Sequence, residues 1–337
     1  MKRYAGLAIS TVALAAAWTA QAGPSGIHLL KSVTLGGDTF WDYVAVDADH
    51  HRVFIAHGTH YVVVDSRSGE TVGDIADIKG AHGVAVADRL GKGFATSGNT
   101  NSVVVFDAQT LKTTGTIAVG THPDSIVFDP VSRRVFVFDG GAKDATVIDV
   151  ASGTVDGTVP LGGKPEAAVA DGKGHIFDNI EDTSEIVEID TKTMTVTKRW
   201  PLAPCTEPSG LAIDAKHGRL FAACDNEMMA AVDTATGKVV ATVPTGKGAD
   251  GAGFDPKSGD VIIPQGGDAR LSVIHEVTPN SYKLVENVAT ERGARTMDID
   301  PATGRIYTVT ADLTPDPGKH PPYKMTPGSF RVLIYGR

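Results

Sequence analysis

Along most of the chain, apolar residues come in short alternating runs that stop at an Asp followed by a turn rich in Gly, Ser, Thr, Arg or Lys. Period-2 alternation, β-branched enrichment and frequent Gly/Asp turns predict strands, and nothing after residue 22 shows the 3.6-residue period of a helix. One run recurs throughout: VAVD ending at Asp47, VAVAD at Asp88, IVFD at Asp129, AVAD at Asp171, LAID at Asp214, AGFD at Asp255 and MDID at Asp300. The spacings between these Asp residues are 41, 41, 42, 43, 41 and 45, a period that signals a repeat architecture. Within each unit a second strand follows the turn, as in RVFIA (52–56) and RVFVF (134–138). A third ends in Asp before a turn such as Asp65-Ser-Arg-Ser-Gly69 or Asp233-Thr-Ala-Thr-Gly237, and a short fourth leads on. Four strands in each of seven units predict an all-β, seven-bladed propeller of antiparallel blades.

The seventh unit lacks a fourth strand, because the chain ends after Arg331–Tyr335. Leu30-Lys-Ser-Val-Thr-Leu-Gly-Gly37 reads like the fourth-strand segment Asp156-Gly-Thr-Val-Pro-Leu-Gly-Gly163. The N-terminal strand is therefore expected to complete the last blade, leaving no open sheet edge.

Residues 1–22 stand apart. Lys2 and Arg3 precede the apolar run Ala5–Trp18, and Ala20-Gln21-Ala22 offers the small-residue pattern of a cleavable secretory signal. Export to the periplasm or outside the cell is expected, with residues 23–337 forming the propeller and no span crossing the membrane after cleavage. The 337-residue chain carries a net charge of −9, and losing Lys2 and Arg3 makes it more acidic. That balance argues against nucleic acid and anionic membrane surfaces as partners.

The aromatic position in the second strands, the D-x-x-[TS]-G-K turn and the segment PLGGKPEAAVAD together resemble the YVTN-repeat (YncE-like) propeller family. The segments 201–214 and 292–301 resemble a secreted bacterial branch of it. The resemblance covers nearly the whole chain after residue 22 and implies fold and export, not an activity.

Candidate chemistry lies where the units converge. Antiparallel connections alternate between faces, so the repeated Asp residues share one face, where Asx turns account for them. On the opposite face, five residues before each repeated Asp, stand Asp42, Gly83, Asp124, Glu166, Ser209, Asp250 and Arg295. Sevenfold geometry aims this ring at the mouth of the axial channel. Carboxylates crowded there raise one another's pKa or recruit a cation, and Asp42, Asp124, Glu166 and Asp250 offer oxygen donors suited to Ca²⁺ or Mg²⁺. The location is similar to the metal site of gluconolactonase-like propellers, although this chain has Ser209 and Arg295 in the ring and lacks the expected Asn. Against both stands a structural reading, in which the acids hydrogen-bond neighbouring backbone. His57 and His60, read as a second-to-third-strand loop, and His82 and His122, read as loops leading into blades, fall on the same face and could pair with the acids in proton transfer.

No G-x-S-x-G elbow, Walker loop, dinucleotide fingerprint or C-x-x-C-H motif is present. Cys205 and Cys224 are the only cysteines. Their even number in an exported chain favours a disulfide, with a copper or redox thiol pair as the rival. A Pro-rich insertion, 311–329, interrupts blade seven and projects over the acidic face as a lid, a docking arm or a solvated decoration. The expected function is a monomeric binding module for a small ligand or a periplasmic protein, without catalysis. The rivals are a divalent-metal hydrolase or lactonase and an accessory subunit of a periplasmic redox system.

Overall fold

The computed structural model describes residues 23–318 and 323–337. Residues 1–22, on which the expected cleavable signal falls, and Lys319, His320, Pro321 and Pro322 of the insertion lie outside the described residues.

Seven four-stranded antiparallel sheets form a ring, together with a two-stranded hairpin (Leu313–Pro315 and Tyr323–Met325) inside the insertion. Blade 1 runs Val44–Asp47, Arg52–His57, His60–Asp65, Thr71–Ile75, and blades 2 to 6 repeat that order. Blade 7 takes Met297–Ile299, Ile306–Thr310 and Arg331–Gly336 from the C-terminal end and His28–Thr34 from the N-terminal end. Leu29 pairs with Tyr335 and Val33 with Val332, so the expected closure is present. The closing strand starts at His28 and stops at Thr34, which leaves Leu35-Gly36-Gly37 outside it. Among the described residues helix is confined to three single 3₁₀ turns, at Asp88–Leu90, Gly98–Thr100 and Glu181–Thr183.

The second strands read as apolar runs because both their faces are buried. In Arg52–His57, Val53 and Ile55 pack with blade 7, while Phe54 and Ala56 pack with blade 2. The same division repeats around the ring and gives seven apolar clusters, one in each seam between blades. The outermost strands, such as Thr113–Ala118, are largely exposed and polar.

The turn-face acids are capped as expected. Asp129 Oδ2 accepts the Ser132 amide (2.8 Å), and Asp65 Oδ1 accepts those of Arg67 and Ser68 (2.9 and 2.8 Å). Partial burial opposes ionisation of Asp65, but these amides and the Arg67 side chain hold it down to about 2. Blade 6 keeps the capped turn at Asp255 but lacks the Asp that ends the third strand in blades 1 to 5, and instead extends its outer hairpin to Arg270–Thr278 and Ser281–Ala289. Cys205 and Cys224 form a disulfide with Cα atoms 5.6 Å apart, tying the loop before blade 5 to the end of its second strand.

Candidate functional site at the channel mouth

The ring positions occur where the innermost strands lose their ladder. Pairing between first and second strands slips between Ala81 and Val84, Pro123 and Ile126, Pro165 and Ala168, and Pro208 and Gly210. Gly83, Asp124, Glu166 and Ser209 sit at these breaks, free of the regular pleat. In blades 1, 6 and 7 the strand starts only after Asp42, Asp250 and Arg295. Hydrogen bonds then lace neighbouring blades together around the axis: Thr296 Oγ1 donates to the Asp42 carbonyl (2.7 Å), Thr96 Oγ1 to that of Asp124 (3.0 Å), and Ser209 Oγ to that of Ala249 (2.9 Å). At Gly210 a Cβ would stand 2.3 Å from the Gly251 carbonyl carbon, so only glycine lets these two blades meet.

Within the ring, Asp42, His82 and Asp124 converge from blades 1, 2 and 3. His82 Nδ1 lies 2.5 Å from Asp42 Oδ2 and 3.5 Å from Asp124 Oδ1. Burial alone would make His82 less basic, but its hydrogen bond to Asp42 and the charges of Asp124, Asp42 and Glu166 carry it up to about 9. It is an imidazolium at neutral pH. Burial, then the Asp42 charge, push Asp124 up to about 7 against the pull of His82. Burial, then Asp124 and Asp250, lift Glu166 to about 9, although Lys164 Nζ is 2.9 Å from its Oε2. Asp250 is also raised, burial outweighing the Arg295 guanidinium whose Nε donates to its Oδ2 at 2.6 Å. Arg295 further reaches the Trp41 carbonyl (3.1 Å) and comes within 3.8 Å of Asp42. Four carboxylates thus face three cations, His82, Lys164 and Arg295.

Below the ring lies an axial cavity of about 220 Å³. Tyr43 from blade 1 reaches across it and donates to the Glu166 carbonyl of blade 4 (3.2 Å). Burial, then Asp124 and Glu166, raise its phenol well above the ordinary value. Asp298 also lines the cavity, with Oδ2 accepting the Val46 amide (2.8 Å); burial moves it to about 6. Asp178, on the second strand of blade 4, is wholly buried. Burial, then the Glu166 charge, raise it well above the carboxylate range. The Glu166 amide lies within its field but outside hydrogen-bond geometry, and neither carboxylate oxygen has a partner. Neither Tyr43, Asp178 nor Asp298 stood out in the sequence. The signal for Asp178 was there, as an acid inside an apolar strand.

Three histidine placements need correction, the first being His60, which is not in a loop but opens the third strand, His60–Asp65. His57 is not in a loop: it ends the strand Arg52–His57, is 1% exposed, and stacks on Phe330 with ring centroids 4.1 Å apart. Burial, with the nearby His60 charge, takes it down to about 4, and it stands apart from the acids of the ring. Phe330 comes from the far side of the blade-seven insertion, which is why the chain around His57 gives no hint of the burial. His82 is not in a loop either but within the strand Ala81–Ala87, which fixes its ring against Asp42. His122 lies beside it, with ring centroids 6.0 Å apart. Asp42, His82 and Asp124 offer one nitrogen and two carboxylate donors within 4.8 Å of one another, a set able to hold a divalent ion.

No family model matches the chain, and no curated protein matches it. Among solved structures it is similar to a chain of Kuenenia stuttgartiensis hydrazine synthase, with a TM-score of 0.70 and 17% identity over 82% of this chain and 93% of that one. It is also similar to U3-55K (TM-score 0.75, 9% identity, 93% and 99% covered) and to the RRP9 WD40 repeats (0.74, 10%, 94% and 99%). At these identities the likeness shows the propeller fold.

Proposed function

We propose that the protein is an exported binding propeller whose channel mouth receives a positively charged group, from a small ligand or a protein partner, without transforming it. Export is supported by the signal-like residues 1–22 and agrees with the Cys205–Cys224 disulfide. The observation that carries the binding reading is the gathering of four carboxyl groups at the channel mouth, of which Asp124 is poised to lose its proton at about 7. An arriving cation takes the place of that proton, so binding strengthens as pH rises through neutrality. The resemblance of the chain after residue 22 to YVTN-repeat propellers supports the export in this reading, not the binding, with the family itself part of the proposal.

Calorimetric titration with Ca²⁺ and with putrescine, at about pH 6 and about pH 8, tests this. Saturable binding of at least one cation, tighter at the higher pH and about tenfold weaker in Asp124→Asn, is expected. Absence of saturable binding by either cation at either pH would contradict it.

The Asp42–His82–Asp124 donor set specifically favours a second reading, a divalent-metal lactonase or hydrolase. In it Asp42, His82 and Asp124 would hold the ion, His82 as the neutral imidazole, and the ion would supply a Lewis acid. Lactone turnover that requires added metal and disappears in Asp124→Asn would establish this reading over the first.

A further inference from the structure

Beside the ring, on the same face, a second cavity of about 210 Å³ opens among the mouth loops of blades 6, 7 and 1. It differs from the ring in kind. Its walls are Phe40, Trp41, Leu313 and Tyr323, and glycines close the remaining sides. Trp41 is 3% exposed, whereas Phe40 is 38% exposed, an uncovered aromatic ring at the rim. The glycines keep the space open: a Cβ on Gly293 would lie 2.8 Å from Leu313 Cδ1, and one on Gly266 would lie 2.9 Å from Arg295 Cβ. Leu313 and Tyr323 belong to the hairpin of the Pro-rich insertion, so that segment forms a wall of a pocket and is more than surface decoration.

Charge distinguishes the pocket further. Its two polar lining side chains with full charge are Arg292 and Arg295. Arg295 is engaged by Asp250, but Arg292 is not matched. Arg292 Nη1 donates to the Tyr323 hydroxyl (3.2 Å), its guanidinium carbon stands 6.0 Å from that ring's centroid, and no carboxylate lies within ion-pair distance among the described residues. The acids nearest in sequence are taken elsewhere, since Glu291 and Asp312 both pair with Arg331. Residues 1–22 and 319–322 contain no Asp or Glu, so they supply no counter-charge either. An exposed guanidinium without a carboxylate partner, at the lip of an aromatic and glycine-walled slot, matches a ligand with an apolar body and an anionic end.

We infer that this pocket binds a small aromatic carboxylate, its ring against Phe40, Trp41 and Tyr323 and its carboxylate on Arg292. The volume admits one ring with a short acidic arm. The site stands independently of the cation-binding ring, with which it shares only Arg295.

Phenylacetate is a suitable probe, with phenethylamine as its cationic counterpart. Calorimetry and quenching of Trp41 fluorescence, measured on the chain from residue 23, are expected to show saturable phenylacetate binding and none by the amine. Arg292→Gln is expected to weaken phenylacetate about tenfold, and Phe40→Ala similarly, with the thermal melting curve unchanged. Asp124→Asn, which weakens cation binding at the ring, is not expected to weaken phenylacetate, so the two sites fail separately. The inference is overturned if phenylacetate shows no saturable binding, if phenethylamine binds equally well, or if Arg292→Gln binds as tightly as the parent chain.

Discussion

Asp178 pairs with the third residue of its blade's third strand, a place that other blades give to Ile55, Ala95, Val137, Ala222, Ile263 and Thr308. Burying a carboxyl group without hydrogen-bond partners costs about 1–3 kcal/mol, so Asp178→Val is expected to stabilise the protein by roughly that amount. Urea denaturation checks this, and a loss of stability would show that the acid has a partner in the seam. Gly210 makes the opposite case. Gly210→Ala forces a methyl onto the Gly251 backbone and is expected to cost about 1–3 kcal/mol by the same measurement. The sequence made the ring residues legible because a fixed offset of five from each repeated Asp survives in all seven units. It could not reveal Tyr43, whose partner Glu166 belongs to a blade across the channel, nor the burial of His57 beneath Phe330. Contacts of that kind depend on closure of the ring, which no local pattern encodes.

Among the elements, the inner strands and the borrowed closing strand were readable from alternation and from the likeness of residues 30–37 to 156–163. The outer hairpins hid a shared feature. Third-to-fourth-strand pairing slips at Val63/Val64, Val105/Phe106, Val147/Ile148, Glu188/Ile189, Ala231/Val232 and Val273/Ile274, one in each of blades 1 to 6, and blade 6 slips again at Glu276/Thr278. Such bulges add twist to the blade edge, and period-2 alternation carries no mark of them. The His28–Thr34 strand of blade 7 has its own slip between Leu29 and Lys31. Blade 5 has the added constraint of the disulfide, which closes a short loop. The Cys205→Ser/Cys224→Ser variant is expected to lose about 2–4 kcal/mol while keeping the far-ultraviolet circular dichroism of an intact propeller. Equal stability under reducing and oxidising conditions would contradict that.

For the whole molecule, the dominant electrostatic fact is that acids crowd a water-poor axis. Asp124 moves from 3.8 to about 7, Glu166 from 4.5 to about 9, and His82 from 6.5 to about 9. Each group holds its proton more tightly folded than unfolded, so each contributes stability below its ordinary value that is lost as pH rises through its folded value. The turn-face acids act in the other sense: Asp65, lowered from 3.8 to about 2, loses its contribution only as pH falls through that range. Stability is therefore expected to be greatest in mild acid and to decline between about pH 5 and about pH 9, with a shallower decline in Asp124→Asn. Denaturation midpoints across that interval decide it, and a rise with pH would refute the electrostatic picture. The whole account turns on four blades delivering their acids to one point on the axis, and His82 reports on that directly. Its imidazole titration, followed by NMR in the folded protein, is expected to centre at about 9 and to move down toward 6.5 in Asp42→Asn. A midpoint near 6.5 in the unsubstituted protein would mean that the acids do not gather around it and that the channel mouth holds no such site.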